Sequence, residues 1–247
     1  GEPKGPLVFV DQLDQEFSRD IEPMQGGHGD NYYWQLVANV RRYKGAPPLP
    51  KASPPKTIRI ADGFDHWRDV LPEFGDHVGE TLPRDFAGVA GQHYTNRSGR
   101  NDLIASKVAR DAKNLYFQVS TREALTPNTG SNWMWLLLDV DQNPATGWEG
   151  YDFIVNRMPP AKGKSWLEKN SGGWNWKRVS PVSVRVEGNE LQLAIPRKAL
   201  GLPTRGTKTA IDFKWADHLQ RPGQIMDFYV SGDVAPEGRF NYRYAGE

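Results

Sequence analysis

The sequence predicts a mainly β chain, an antiparallel two-sheet sandwich of jelly-roll type, preceded by a strand-loop-helix segment. Three observations point there. Short apolar stretches alternate with polar residues at period two, and 25 glycines and 19 prolines punctuate them. The rings are also abundant, with 10 Phe, 9 Trp and 9 Tyr, residues that suit pleated, half-buried surfaces.

Taken in order, "PLVFV" at 6–10 reads as a short buried strand, followed by the acidic "DQLDQEFSRDIEP" and the glycine-rich "MQGGHGD". In "DNYYWQLVANVRRYKG", Tyr33, Leu36, Val37 and Val40 lie on one helical stripe. Asp30 suits its N-cap, Arg41, Arg42 and Lys44 suit the C-terminal dipole, and Gly45 suits the stop. Residues 46–56, "APPLPKASPPK", hold five prolines and read as a semi-rigid extended linker. The domain boundary is therefore placed between segment 1–45 and a sandwich at 57–247.

Strands dominate after Thr57. Leu115, Phe117 and Val119 alternate with Tyr116, Gln118 and Ser120. Val182, Val184 and Val186, a turn at Gly188-Asn189, and Leu191, Leu193 and Ile195 read as a hairpin. "WMWLLLDV" is apolar on both faces, as a central strand is. In "AIDFKWA", Ile211, Phe213 and Trp215 alternate with Asp212 and Lys214; "MDFYVSG" reads as another short strand and "PRKALGL" as a helical turn. Trp67 and Trp215 sit in apolar contexts and are expected in the core.

Composition narrows the function classes. With 31 Lys+Arg against 30 Asp+Glu the net charge is +1, without the basic excess that phosphate neutralisation favours, so nucleic acid is not the expected partner. No apolar run approaches the roughly 20 residues of a membrane span. Cysteine is absent, which removes thiolate nucleophiles and cysteine metal sites. The five histidines lack zinc-ligand spacing.

The stretch Gly147–Lys177 places Trp148, Trp166, Trp174 and Trp176 among glycines, lysines and asparagines. Sugars pack axial C–H faces on aromatic rings and need polar partners at the rim, so these four are the candidate carbohydrate-binding residues. Trp174 and Trp176, two residues apart, are expected on one strand face as a platform. The competing reading gives the rings structural work, with Trp148 pinning the turn after "DQNPATG" and Trp166 covering the end of the sandwich. In "DVDQNPATGWEGYD", Asp139, Asp141 and Asn143 alternate as at the start of a calcium loop, although the glycine and glutamate of an EF-hand are missing. A polar hairpin capped by Asp and Asn side chains explains the same residues.

"TIRIADGFDHWRDV", "NLYFQVSTRE", "NWMWLLLDVDQNPATGWEGYDFIVNR" and "FKWADHLQ" with "DFYVSGDVAPEGRFNY" together resemble family 9 carbohydrate-binding modules and their DOMON-like relatives over residues 57–247. The resemblance implies a sandwich plugged by the Trp after the Asp-Gly turn, sugar binding, and in some relatives structural calcium. "LVFVDQLDQEFSRDIEPMQGGHGDNYYWQLVANVRRYKG" is similar to the last strand, acidic Glu-Pro loop and helix of barrel glycoside hydrolases. One strand and one helix cannot close a barrel, so catalysis by this chain alone is not expected and no catalytic residue is assigned. Segment 1–45 is then the tail of an upstream catalytic domain, or a unit packed on the sandwich edge.

The resulting expectation is non-catalytic carbohydrate binding that tethers a glycoside hydrolase to its polysaccharide, in a secreted, periplasmic or cell-surface bacterial protein of polysaccharide utilisation. The alternative is a hydrolase fragment whose sandwich is a structural companion. A haem or redox module is disfavoured, because the four methionines form no Met/His pair in a pocket-forming stretch.

Overall fold

The computed structural model describes residues 40, 42–45, 50–79, 81, 84–87, 93–97, 101–130, 132–203, 208–236 and 238–246. The expected strand at 6–10, the acidic loop, the glycine-rich turn and the start of the helix lie outside them. The end of that helix is present. Val40 and residues 42–44 are helical, and Gly45 stops them at φ +89°, a conformation that glycine adopts without a Cβ penalty.

Among the described residues thirteen strands follow in order: β1 (Glu73–Gly75), β2 (Arg84–Ala87), β3 (His93–Asn96), β4 (Leu103–Arg110), β5 (Asn114–Thr121), β6 (Trp135–Asp139) and β7 (Phe153–Val155). Then come β8 (Lys164–Asn170), β9 (Trp176–Glu187), β10 (Glu190–Pro196), β11 (Thr209–Asp217), β12 (Asp233–Ala235) and β13 (Tyr242–Gly246). Eleven of them make one antiparallel sheet in the order β1-β4-β5-β10-β9-β8-β7-β6-β11-β12, with β13 also on β11; β2 and β3 pair separately. The fold is mainly β and sandwich-like, but its layers are one curled sheet rather than two.

Curling brings the sheet's ends together. The Leu103 amide donates to Asp233 Oδ2 at 2.6 Å and the Tyr242 hydroxyl to the Gly75 carbonyl at 2.9 Å, joining β4 to β12 and β1 to β13. The enclosed core takes every second residue. Leu115, Phe117 and Val119 of β5, Leu191, Leu193 and Ile195 of β10, Leu136 and Leu138 of β6, and Phe213 and Trp215 of β11 all lie in it. Val186, expected with this set, is 42% exposed near the hairpin tip, although its cross-strand partner Leu191 is fully buried.

The outer face is also apolar, and it is covered in two places. Over β4, β5 and β10, Ile58, Trp67 and Val70 pack on Ala109 and Tyr116. Residues 57–60 carry no strand; the segment crosses the sheet as a cover, so Trp67 plugs the outside of the sandwich rather than its interior. Gln192, fully buried on β10, holds the cover by accepting from Trp67 Nε1 at 2.7 Å and donating to the Asp62 carbonyl at 3.1 Å. The proline-rich stretch is docked where it meets this layer: Ser53 N donates to the Leu71 carbonyl, Lys56 N to the Arg110 carbonyl, and Ala52 packs on the core. These contacts tie residues 52–56 of that stretch to the sandwich.

"MDFYVSG" is the clearest departure from expectation. Ile225–Tyr229 form a 3-10 helix and the strand starts later, at Asp233. The buried Asp227 explains it, because its Oδ2 accepts from the amides of Gln220 and Arg221 and from the Ser231 hydroxyl, which winds the chain around one carboxylate. The turn at "PRKALGL" is a 3-10 helix, Arg197–Leu200, ended by Gly201 at φ +73°.

Replacing Gln192 with Leu would leave the buried Trp67 N–H without its acceptor. The expected result is a loss of about 1–3 kcal/mol in stability by urea unfolding. A change within ~0.5 kcal/mol would mean that packing alone holds the 57–70 cover.

Candidate functional site

The second outer cover contains the tryptophans. Leu137, Ile154, Ala216 and Val234 point outward from β6, β7, β11 and β12, and water would reach them without a lid. Trp135, Trp148, Tyr151 and Phe228 close over them, with Trp174, Trp176 and Ile225 packed at the edge. Three of the four candidate tryptophans therefore meet in one cluster.

Local chemistry places each ring. Trp148 and Tyr151 exchange two backbone hydrogen bonds of 2.9 Å across a tight turn, and their rings stack at 6.1 Å. Gly147 permits that turn: it has φ +67°, and a Cβ there would lie 2.1 Å from the Tyr151 carbonyl oxygen. Trp174 is the hub of the cluster. Its centroid lies 4.4 Å from Trp148, 5.3 Å from Trp135 and 5.4 Å from Trp176, and a Cβ at Gly223 would come within 2.8 Å of its ring.

Trp174 sits in the turn before β9, whereas Trp176 begins the strand, so the two do not share a flat strand face. They meet edge to face at 86°, both partly buried. Around them lie the exposed Asn175 and Lys177 and the partly buried Asn170, whose amide donates to the Gly173 carbonyl at 2.8 Å. Trp166 stands apart on β8, 39% exposed, with the Arg178 guanidinium 5.0 Å over its ring. Beneath this edge Glu168 is buried and takes two hydrogen bonds from Arg157, at 2.7 and 2.8 Å.

Two donors in the cluster are unusual. The indole N–H groups of Trp135 and Trp176 are buried and have no acceptor among the described residues. A buried donor left unpaired costs about 1–3 kcal/mol, so such groups mark places where an acceptor from outside the chain would be favourable.

The loop that delivers Trp148 also carries the predicted metal residues. Asp139, Asp141 and Asp152 each bring a carboxylate oxygen to within 4.8 Å of the others. Asn143 Oδ1 accepts from the Ala145 amide at 3.0 Å within the same loop. The third carboxylate comes from Asp152, across the loop, which alternation in sequence could not reveal. Asp139 Oδ1 accepts from Gln142 N and Asp152 Oδ2 from Val140 N, so the loop's own amides orient the acids. Burial, then the neighbouring charges of Asp212, Asp152 and Asp141, push Asp139 up to about 6; burial and Asp141 raise Asp152 as well. Three oxygen donors that are costly to ionise together fit a hard divalent cation such as calcium, which would be held by Asp139, Asp141 and Asp152.

Comparisons with known proteins add no relative: no family model, no curated protein and no solved structure matches the chain. Among the described residues no helix is long and apolar enough to cross a membrane.

Two outcomes are expected here. Trp174→Ala removes the hub of the ring cluster and costs about 3–5 kcal/mol, whereas Trp166→Ala costs under ~1 kcal/mol; urea unfolding separates them. Millimolar calcium raises the melting temperature by several degrees, as expected for a ligand that binds only the folded state. Asp139→Asn abolishes that rise and, without calcium, melts no lower than the parent because a buried charge has been removed. A melting temperature indifferent to calcium would leave the three acids as elements of loop structure.

Proposed function

We propose that the chain binds carbohydrate without transforming it, and that it holds an associated glycoside hydrolase close to polysaccharide outside the cytoplasm. One observation carries the reading. Trp174 and Trp176 lie at the edge of an aromatic cluster, partly open, beside amide and lysine side chains and beside the Trp135 and Trp176 indole N–H groups, which have no acceptor among the described residues. Rings supply the stacking surface for sugar C–H groups, and an indole N–H supplies a donor that a hydroxyl oxygen can satisfy. A few sugar rings bury little surface, so affinity for a single chain end is weak, and the benefit to the hydrolase is raised effective concentration.

A second reading is favoured by the crowding of Trp174, whose ring is contacted by Trp135, Trp148, Trp176 and Gly223. In it the rings serve only to seal the outer face, and the sandwich is a structural companion to a hydrolase whose barrel ends in segment 1–45.

Affinity gel electrophoresis over a panel of soluble polysaccharides, followed by a glycan array, separates the two. The binding reading expects retention on one glycan class, weakened about tenfold by Trp176→Ala, equivalent to ~1.4 kcal/mol, with folding retained. Retention on none, or retention that Trp176→Ala leaves unchanged, favours the companion reading.

A further inference from the structure

The other outer cover leaves a groove of about 470 Å³ between the turn at 63–68 and the sheet surface of β4, β5, β9 and β10. It is a different place from the tryptophan cluster, and its volume lies in the range of small-molecule sites. Phe64 and Trp67 give its lining an aromatic part, and Gln118, Glu187 and Glu190 are among the polar residues that line the rest.

The groove holds more acceptors than donors. Lys107 faces it, but its ammonium is engaged by the Trp67 carbonyl at 3.1 Å and by Glu73 at 3.3 Å. Arg68 pairs with Asp65 at 2.7 Å, and Glu187 with Arg185 at 2.7 Å. Among the described residues no cation pairs directly with Glu190, although the nearby Lys107 charge favours its ionised form. Its Oε1 accepts from Gln118 Nε2 at 2.9 Å, and no described residue donates to its Oε2. Gln118 is 4% exposed, and its own Oε1 likewise receives no hydrogen bond from a described residue. Burial, with Glu187 adding like charge, holds the Glu190 carboxyl above its ordinary range. A positive ligand group would relieve both.

The acids do not converge as metal ligands. Among the described residues the group of three acids placed to hold an ion is Asp139, Asp141 and Asp152, which lies in another loop. We propose that the groove binds an organic ammonium, a primary amine on a small polar body, with the amine on Glu190 Oε2 and Gln118 Oε1 and the body against Phe64. An ammonium supplies three donors to these acceptors and is attracted to the face of an aromatic ring. Amino sugars and aliphatic diamines share this chemistry. The site stands independently of the proposed tryptophan site.

Isothermal titration of the full chain with glucosamine, glucose, N-acetylglucosamine and putrescine tests the assignment. Glucosamine is expected to bind at least about tenfold more tightly than glucose or N-acetylglucosamine, because those two lack the charge. Glu190→Gln is expected to weaken glucosamine at least about tenfold with an unchanged melting temperature, and Trp176→Ala to leave it unaffected. Should Glu190→Gln melt lower, Gln118→Glu gives a second arm, tightening glucosamine by adding a charge at the same place. Putrescine binding as tightly as glucosamine places recognition in the ammonium alone, whereas weaker putrescine adds the hydroxylated ring. The assignment is overturned if neither amine binds, if glucosamine and glucose bind alike, or if Glu190→Gln binds as the parent does.

Discussion

Burial of β6 on both faces is the constraint on which the rest of the structure depends. Leu136 and Leu138 face the enclosed core while Trp135 and Leu137 face outward, and all four are removed from water. A strand of this kind demands an inner layer and an outer one. The curl of the sheet supplies the first. The second comes from loops, and loops have to be fastened because their backbone polar groups cannot be buried unpaired.

The fastenings are single polar side chains, each fully or nearly buried. Gln192 ties the 57–70 cover to β10, and Asp227 winds the loop that delivers Phe228. Asp217, at the end of β11, accepts from the Met134 amide and from Asn101, which joins the entry of β6 to the start of β4. Satisfied groups of this kind stabilise modestly, yet each is expensive to break, so they fix where the covers lie more than how strongly they hold.

Both proposed sites are consequences of this arrangement. Loops laid over a twisted sheet cannot match it everywhere. One mismatch leaves the half-open edge of Trp174 and Trp176, where the Trp135 and Trp176 N–H groups have no acceptor among the described residues; the other leaves the polar groove beside Trp67. The acidic trio belongs to the first cover, since the turn that presents Trp148 also brings Asp152 back to Asp139. A cation there would brace the loop that supports the rings. Their chemistries differ, one aromatic and the other rich in acceptors, so the two places select different ligand groups.

The sequence by itself determined the strands and their faces. Period-two alternation marks which side of a strand meets the core, and Leu115, Phe117 and Val119 all lie on the side it assigns. The double-sided burial of β6 was legible from its unbroken apolar run, and the helix stop at Gly45 from the glycine that follows the basic last turn. What the tertiary structure decided were the relations between distant segments. Asp152 joins Asp139 and Asp141 because the chain doubles back, and Trp174 becomes a packed hub because Gly223, 49 positions later, lies against its ring. "MDFYVSG" alternates like a strand but folds as a 3-10 turn because Asp227 binds amides earlier in the chain. The groove at Glu190 was invisible for the same reason: its lining comes from six segments, and local pattern carries no information about which of them curling will bring together.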